Sequence, residues 1–330
     1  MLKQLFLGTG LAAFLVLAAC SATPAPDASG PQSTARACTA GEAEVLFSTP
    51  GGAESVAVAK DGTVYTSDTC SGQVFRIQPD GASSVLATIP LGGDKLSCDI
   101  YGMQPPQVGS KGIAIAEDGT LWLAVFSIDP QSNGVWRVRP DGSAQLAFPM
   151  PPEAAPIPND LVLDPQGVLY ITESGEGAIW KASPSGAASI WFQNELLTPL
   201  PARILGTSGI AIQDQALYVA NVERGTVIRV PIEADGTPGD PAVIASHLSG
   251  PDALEFDASG QLYAVISNAL QLVRIPSGGK PEVVVPLGPF GMDWPTGLAF
   301  GGPGDVNTVY ISNVEPGPPN VLKLNLCTAE

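Results

Sequence analysis

The chain of 330 residues carries 32 acidic and 15 basic side chains, which gives a formal net charge of −17. Such a surface repels nucleic acid and anionic lipid, so we expect neither as a direct partner. It attracts divalent cations and cationic ligands, although on charge alone the simpler explanation is solubility. The length allows either one large repeat domain or two ordinary domains.

Residues 1–19 are predicted to be an export signal rather than part of the fold. A positive start at Lys3 precedes an apolar run from Leu5 to Ala19, which is too short to span a bilayer comfortably. The run ends in Leu17-Ala18-Ala19-Cys20, which resembles the lipobox of bacterial lipoproteins. That resemblance implies that Cys20 is lipidated and becomes the mature N-terminus. The alternative is an ordinary secretory signal with an incidental cysteine.

Residues 20–37 are predicted to be a lipidated, flexible tether, because they are rich in Ala, Ser, Pro and Thr with almost no apolar bulk. We therefore expect a monomer of the cell envelope that touches the membrane only through its lipid anchor. Ser21 directly after the cysteine favours outer-membrane sorting in a Gram-negative host, facing the periplasm or the cell surface. The folded domain is then expected over residues 38–330.

A pattern that recurs six times predicts the fold of this domain. Each copy has an apolar strand, an Asp-Gly-type turn, a strand ending in an aromatic-aliphatic run, a loop and a third strand. The copies begin at Glu54, Lys111, Asn159, Ser208, Asp252 and Thr296. Their starts are 44–57 residues apart, which is the length of one four-stranded blade. The sequence predicts an all-β, six-bladed β-propeller with very little helix.

The third strands are predicted at Gln73–Gln78, Gly134–Arg139, Ala178–Ala182, Thr226–Pro231, Gln271–Ile275 and Val321–Leu326. Fourth strands follow a second turn, as at Ser84–Ile89 and Ala242–Ala245. The sixth copy ends after three strands, and Ala43–Ser48 ahead of the first blade can supply the fourth. An N-terminal strand that completes the last blade removes an open sheet edge, so we predict this closure.

Four cysteines besides Cys20 are predicted to form two disulfides, because an even number in an exported protein favours disulfides over metal thiolates. The closing strand brings Cys38 and Cys327 to one seam, which predicts a Cys38–Cys327 bond. The Asp-Gly turns lie on the bottom rim, so the second-to-third strand loops and the links between blades lie on top. Cys70 and Cys98 both fall in top segments beside the first blade, which predicts Cys70–Cys98; two free thiols are the alternative.

The residue immediately ahead of each predicted innermost strand is polar in all six copies, and propeller geometry directs these side chains toward the axis at the top of the channel. Glu54, Asn159, Ser208 and Asp252 are oxygen donors, with no His or Cys among them. Hard cations such as Ca²⁺ take about 6–8 oxygen ligands. The column predicts a site for one divalent cation, with Ca²⁺ as the best fit and Zn²⁺, Mn²⁺ or Mg²⁺ as alternatives.

With this repeat rhythm and this polar column, residues 54–326 resemble the regucalcin-like senescence marker protein/gluconolactonase family, whose wider relatives include paraoxonase-like and diisopropyl-fluorophosphatase-like propellers. The resemblance implies one central divalent ion held by Glu from blade one, Asn from blades three and four, and Asp from blade five. Glu54, Asn159 and Asp252 match in type and blade. Ser208 replaces an Asn with a shorter and weaker ligand, which a water can bridge to the ion.

The resemblance also implies that Asp252 is the general base or activates the nucleophile. A central cation polarises a carbonyl oxygen and lowers the pKa of a bound water. Asn159 or Asp160 is expected to orient the substrate. Lys111 either neutralises a developing oxyanion or pairs with Glu54 and Asp252; in the second case it competes with the metal.

Two further residues are candidates for a place behind the ligands. Thr296 completes the polar column in the sixth blade. His247, the single histidine, lies five residues before Asp252 in a top link. It is expected either to shuttle protons beside the site or to be an exposed loop residue.

Two functions remain open on the sequence. The first is a divalent-metal-dependent hydrolase of a small lactone or ester at the top of the channel, which the match of Glu54, Asn159 and Asp252 favours. The second is a non-catalytic propeller, similar to NHL-repeat proteins, that binds a small ligand or a protein partner with a decayed metal site. Ser208 and Lys111 favour that alternative, and the propeller fold alone does not choose between them.

Overall fold

The computed structural model describes residues 43–91, 109–127, 129–151, 156–183, 188–314 and 318–326. These residues all belong to one compact unit, Cys38–Glu330. No helix within the described ranges is long and apolar enough to cross a membrane. The predicted signal (1–19), the predicted tether (20–37) and Cys20, Cys38, Cys98 and Cys327 lie outside these ranges. The lipid anchor, the tether and the disulfide pairings, which depend on these residues, stay predictions.

The described strands form six antiparallel sheets of four strands each, and we number the strands in chain order. Strand β1 is Ala43–Phe47. The first blade contains β2 (Ala53–Val58), β3 (Val64–Asp68), β4 (Gln73–Ile77) and β5 (Ser83–Thr88). The second contains β6 (Gly109–Ile115), β7 (Leu121–Phe126), β8 (Gly134–Val138) and β9 (Ala144–Pro149). The third contains β10 (Pro158–Leu163), β11 (Leu169–Glu173), β12 (Ala178–Ala182) and β13 (Ser189–Gln193).

The remaining blades repeat the same order. The fourth contains β14 (Thr207–Gln213), β15 (Ala216–Asn221), β16 (Thr226–Pro231) and β17 (Ala242–Ala245). The fifth contains β18 (Pro251–Phe256), β19 (Leu262–Ile266), β20 (Gln271–Ile275) and β21 (Glu282–Pro286). The sixth contains β22 (Pro295–Phe300), β23 (Thr308–Asn313), β24 (Val321–Asn325) and the N-terminal β1. Two 3₁₀ turns, Ser267–Ala269 and Gly288–Phe290, follow β19 and β21.

The first strands of the six blades contact one another in a closed circle: β2, β6, β10, β14, β18, β22 and back to β2. This arrangement confirms the predicted six-bladed β-propeller around a central channel. Strand β1 pairs antiparallel with β24, with Ala43 opposite Leu324. The predicted closure of the last blade by an N-terminal strand is therefore confirmed.

The turns between first and second strands depend on residues that accept positive φ. In the first blade Gly62 takes φ 84°. The fourth blade has no glycine at this turn, and Asp214 and Gln215 adopt φ 49° and 56° instead. Two consecutive left-handed residues define the tight hairpin turn that suits the twist of paired strands, so the blade keeps its geometry without glycine.

The apolar core is divided into six clusters, one at each junction between neighbouring blades. Each cluster joins strands of two successive blades; one, for example, packs Val56 and Ile77 of the first blade against Tyr310 and Val321 of the sixth. Because every blade buries its two faces against its neighbours, the ring is held by repeated inter-blade packing. This packing fixes the inner strands that line the channel.

Every blade also places an aromatic residue of its second strand opposite a basic residue of its third strand. The pairs are Tyr65–Arg76, Trp122–Arg137, Tyr170–Lys181, Tyr218–Arg229, Tyr263–Arg274 and Tyr310–Lys323. The Lys181 ammonium lies 5.5 Å from the centre of the Tyr170 ring, within the range of a cation–π contact. All six basic side chains are half-buried, so their stems cover part of the aromatic surface.

Asp68 organises the top loop of the first blade that carries Cys70. Its carboxylate accepts hydrogen bonds from the backbone N–H groups of Cys70, Ser71 and Gly51, at 2.7–2.9 Å. Cys70 takes part in a disulfide bond. Its predicted pairing with Cys98 stays a prediction because Cys98 is not among the described residues.

Candidate functional site

A β-bulge interrupts all six inner strands at the same position, because the pairing register with the second strand shifts there in every blade. The polar column falls on these bulges. Its members are Glu54 in β2, Lys111 in β6, Asn159 in β10, Ser208 in β14, Asp252 in β18 and Thr296 in β22. The expectation that they stand ahead of the strands was wrong. They lie within the strands, and the bulge re-aims their side chains.

In the second, fourth and sixth blades the residue after the column member is a glycine that lies close against the inner strand of the next blade: Gly112, Gly209 and Gly297. A Cβ on Gly209 would stand 2.1 Å from the carbonyl oxygen of Asp252, and one on Gly112 would stand 2.4 Å from Asp160 Oδ1. Only glycine fits such positions without displacing the backbone of the next blade. The inner strands are therefore locked against one another at the level of the polar column.

Asp160 occupies the equivalent position in the third blade, and its carboxylate bridges two blades. Oδ1 accepts a hydrogen bond from the N–H of Leu161 at 2.8 Å, and Oδ2 accepts one from Ile210 in β14 at 3.0 Å. Burial raises the pKa of Asp160 to about 7, and the charge of Glu54 adds to this, while the two N–H donors oppose it. Asp160 thus fixes the bulge that presents Ser208.

Hydroxyl groups hold other bulges across blade junctions. Thr172 Oγ1 donates to the carbonyl oxygen of Ser208 at 2.6 Å. Ser312 Oγ and Thr296 Oγ1 both donate to the carbonyl oxygen of Glu54, at 2.9 and 2.7 Å. The backbone of two column residues is therefore positioned by side chains of the preceding blade.

On one side of the column, Lys111 and Glu54 form a buried ion pair. Lys111 Nζ lies 3.2 Å from Glu54 Oε1, and the two side chains are only 7% and 10% exposed. The second oxygen, Glu54 Oε2, is buried and has no hydrogen-bond partner. Of the two roles predicted for Lys111, the structure places it in an ion pair with Glu54.

On the other side, two hydroxyl groups contact Asp252. Ser208 Oγ donates to Asp252 Oδ1, and Ser267 Oγ donates to Asp252 Oδ2 at 3.0 Å. Ser208 Oγ also lies 3.4 Å from Asn159 Oδ1. Asn159 Nδ2 donates to Ser174 Oγ at 3.0 Å, which directs the amide oxygen toward Ser208. The structure thus brings Asn159, Ser208 and Asp252 together.

Asp252 lies in an environment that disfavours its charged form. Burial and the negative charge of Glu54 raise its pKa to about 7, against the hydrogen bonds from Ser208 and Ser267 and the charge of Lys111. A carboxyl group with this pKa exchanges its proton near neutral pH, which suits a general acid or base.

A cavity of about 640 Å³ extends from the polar column along the inner strands to Asp257 and Ala258 at the opposite rim. Glu255 lines this channel three residues after Asp252, and the prediction of site residues missed it. Burial raises its pKa to about 7, and the charge of Asp160 contributes. The signal was present in the sequence: the equivalent residues of the other inner strands are aliphatic, namely Ala57, Ala114, Val162, Ala211 and Ala299.

The polar column fits a hard divalent cation in the chemistry of its donors. No group of three or more His, Cys, Asp or Glu side chains within the described ranges forms a metal-binding cluster. The candidate ligands here are two carboxylates, an amide and a hydroxyl, and oxygen ligands of this kind suit Ca²⁺. The buried, unpartnered Glu54 Oε2 is an orphaned acceptor of the sort that an ion satisfies.

The remaining predicted residues take different places. Thr296 touches the backbone of Glu54 rather than its carboxylate. His247 is exposed, adopts φ 62° and contacts Ser246 Oγ at 2.9 Å. None of the hydrogen bonds found among the described residues joins it to the polar column. This placement favours the alternative that His247 is an exposed loop residue.

Fold and site together define a β-propeller with an oxygen-lined polar ring, formed by the six column residues, at one end of its channel. The model of the SMP-30/Gluconolactonase/LRE-like region matches residues 151–315, which is half of the chain. The chain belongs to this family. The matched residues cover blades three to five and the strands β22 and β23 of blade six, including Asn159, Ser208 and Asp252.

Solved structures share the fold at low sequence identity. A gluconolactonase from Xanthomonas campestris is 18% identical with a TM-score of 0.64, covering 86% of this chain and 89% of its own. The calcium-binding protein regucalcin from Agrobacterium tumefaciens is 17% identical with a TM-score of 0.60, covering 87% and 95%. A virginiamycin B lyase from Staphylococcus aureus is 19% identical with a TM-score of 0.56, covering 83% and 80%. No curated protein sequence matches the chain.

Proposed function

We propose that the polar ring is the active site of a divalent-metal-dependent hydrolase that acts on a small lactone or ester. The observation that carries this proposal is that Ser208 contacts both Asn159 and Asp252, and that Glu54 lines the same cavity and its charge acts on Asp252, in a chain of this family. The gluconolactonase with the same fold supports the reaction class. Regucalcin, with its calcium, supports the cofactor.

Glu54, Asn159 and Asp252 would hold the ion, and Ser208 would contribute directly or through a water. When bound, the cation supplies a Lewis acid that polarises the carbonyl oxygen of the substrate and lowers the pKa of a bound water. Asn159 is suited to orientation because its amide nitrogen is tied to Ser174 and its amide oxygen faces the ring.

Asp252 is the proposed general base. Without the ion, burial and the charge of Glu54 raise its pKa to about 7. A bound cation would favour the charged carboxylate, which is the form that accepts a proton from an attacking water. Ser208 Oγ donates to one oxygen of its carboxylate, and Ser267 Oγ lies 3.0 Å from the other and 2.7 Å from the carbonyl oxygen of Pro295. These contacts hold the carboxyl group in one orientation. A base fixed in this way need not be reoriented before proton transfer.

The test is hydrolysis of a panel of γ- and δ-lactones and p-nitrophenyl acetate by the purified full chain, before and after removal of metal with EDTA. We expect activity to be lost with EDTA and restored by Ca²⁺, Zn²⁺, Mn²⁺ or Mg²⁺. Asp252→Ala should lower kcat by about 100-fold or more, as for loss of a general base. The matched control is Asp240→Ala, which removes an exposed carboxylate of the β16–β17 connection and should leave activity unchanged. Hydrolysis that survives EDTA would refute the metal dependence.

A second candidate is a non-catalytic propeller that binds a ligand through the same ring. The observation that favours it is that both carboxylates of the ring already have polar partners within the protein: Lys111 contacts Glu54, and Ser208 and Ser267 contact Asp252. In this case no member of the panel is hydrolysed with any of the four ions.

A further inference from the structure

The polar ring contains a positive charge, the Lys111 ammonium, directly beside the candidate metal ligand Glu54. Lys111 stands on the β6 bulge, next to Glu54 on the β2 bulge, and its ammonium contacts Glu54 Oε1 at 3.2 Å. Both side chains are more than nine-tenths buried. Glu54 is also the carboxylate that the proposed function assigns to the divalent ion. The same carboxylate therefore has two possible cations.

The contact is specific to one oxygen of Glu54. Oε1 faces the ammonium, whereas Oε2 is buried without a hydrogen-bond partner. An ammonium donates along N–H bonds and leaves the second oxygen unsatisfied, whereas a divalent ion can bind a carboxylate through both oxygens. The Lys111 ammonium therefore binds one oxygen of Glu54, and the other oxygen, Oε2, remains an acceptor without a hydrogen bond.

A divalent ion and the ammonium cannot both remain close to Glu54 without strong repulsion, because charges interact strongly where solvent is excluded. The negative charge of Asp252 does not relieve this conflict, because the proposed function assigns Asp252 to the same ion. Entry of an ion must therefore move the ammonium away from Glu54.

We propose that Lys111 is a resident cation of the ion-free ring, and that a divalent ion binds only by displacing the Lys111 ammonium from Glu54. The inference rests on the proposed function in that it concerns the same metal site. It makes Lys111 the residue that sets the affinity for the ion. The site then fills at higher ion concentrations than the same oxygen ligands would require without the lysine.

The test is calorimetric titration of the EDTA-treated full chain with CaCl₂. Lys111→Met removes the charge at similar side-chain length and should tighten Ca²⁺ binding by about tenfold or more. Lys111→Arg keeps a cation and should bind no more tightly than the unmodified chain. The matched control is Lys280→Met, which removes an exposed positive charge in the β20–β21 turn and should change the affinity by less than about twofold. Equal or weaker Ca²⁺ binding by Lys111→Met would overturn the inference.

Thermal unfolding with and without Ca²⁺ provides a second measurement of binding and shows whether the Lys111→Met variant is folded. Ca²⁺ should raise the melting temperature of Lys111→Met more than that of the unmodified chain, because at equal Ca²⁺ concentration the stabilisation increases with the affinity. If Lys111→Met is not folded without the ion, Lys111→Gln takes its place in both measurements. Equal Ca²⁺-induced shifts in the variant and the unmodified chain would count against displacement.

The outcomes separate this inference from the proposed function. Tighter Ca²⁺ binding by Lys111→Met without hydrolysis by either protein supports the resident cation and refutes the hydrolase. Metal-dependent hydrolysis, together with a Ca²⁺ affinity of Lys111→Met equal to that of the unmodified chain, supports the hydrolase and refutes the displacement of Lys111. If neither protein binds any of the four divalent ions at about 10 mM, both proposals fail.

Discussion

The two carboxylates of the polar ring differ in how their negative charge is compensated. Glu54 contacts a full positive charge, the Lys111 ammonium, and keeps one oxygen without a partner. Asp252 contacts two hydroxyls, one on each oxygen. Since hydroxyls compensate a charge less than an ammonium does, burial and the charge of Glu54 prevail at Asp252 and raise its pKa to about 7.

The difference arises from the residue that a neighbouring blade contributes. Blade two places Lys111 beside Glu54, whereas blade four places Ser208 beside Asp252. The bulges are equivalent, so the backbone alone does not distinguish the two sides. The residue of the adjacent repeat is thus an ammonium at Glu54, which forms an ion pair, and a hydroxyl at Asp252, whose pKa is raised.

The largest expected effect comes from removing each carboxylate in turn. Glu54→Ala takes away a carboxylate that a buried ammonium contacts, and breaking such a pair costs about 3–5 kcal/mol in the free energy of unfolding. Asp252→Ala removes a group whose charged form is already disfavoured, so we expect a loss of only about 1–2 kcal/mol. Chemical denaturation of the full chain at pH 7.5 measures both.

Glu117→Ala provides the control, because Glu117 is an exposed carboxylate of the turn after β6 and its removal should change stability by less than about 0.5 kcal/mol. Equal losses for Glu54→Ala and Asp252→Ala would show that the two carboxylates are compensated alike. That result would contradict the difference between the ammonium at Glu54 and the hydroxyls at Asp252.

A smaller effect is expected at the carboxylate that positions Ser208. Asp160→Asn keeps one amide oxygen but turns an N–H₂ group toward one of the two backbone N–H donors, Leu161 or Ile210. Losing one buried hydrogen bond in this way should lower the free energy of unfolding by about 1–2 kcal/mol. The exposed Asp240→Asn is the matched control for the same denaturation experiment. A stability unchanged by Asp160→Asn would exclude a positioning role for Asp160.

The smallest expected effect concerns Glu255 in the channel below Asp252. Its pKa is raised from 4.5 to about 7 in the folded protein, so the native state binds more protons than the unfolded state between these values. Stability therefore falls as the pH rises from about 4.5 to about 7. Glu255→Gln removes this loss, and should stabilise the chain at pH 8 by about 1 kcal/mol after allowance for solvent in the channel.

At pH 5 the stabilisation by Glu255→Gln should be much smaller, because the native carboxyl group is then protonated. Denaturation curves at the two pH values measure the difference, with Glu117→Gln as the exposed control. A stabilisation of the same size at pH 5 and pH 8 would show that the effect is not due to ionisation of Glu255.

The blade architecture was predictable from local patterns. Three of the six third strands were placed with their observed bounds, at Ala178–Ala182, Thr226–Pro231 and Gln271–Ile275. The closing strand was predicted at Ala43–Ser48 and observed at Ala43–Phe47. Strand alternation, turn residues and repeat spacing are properties of short segments, so they appear in the sequence before any tertiary contact is known.

The sequence by itself determined the six blades, the closing strand and the identity of the polar column, because each depends on spacing along the chain. Only the tertiary structure decided that the column lies on β-bulges, that Lys111 contacts Glu54, and that Ser208 and Ser267 contact Asp252. These contacts form between side chains that are far apart in the sequence and come within a few ångströms of each other only in the folded ring. The position of Glu255 inside the channel likewise follows from the closure of the ring.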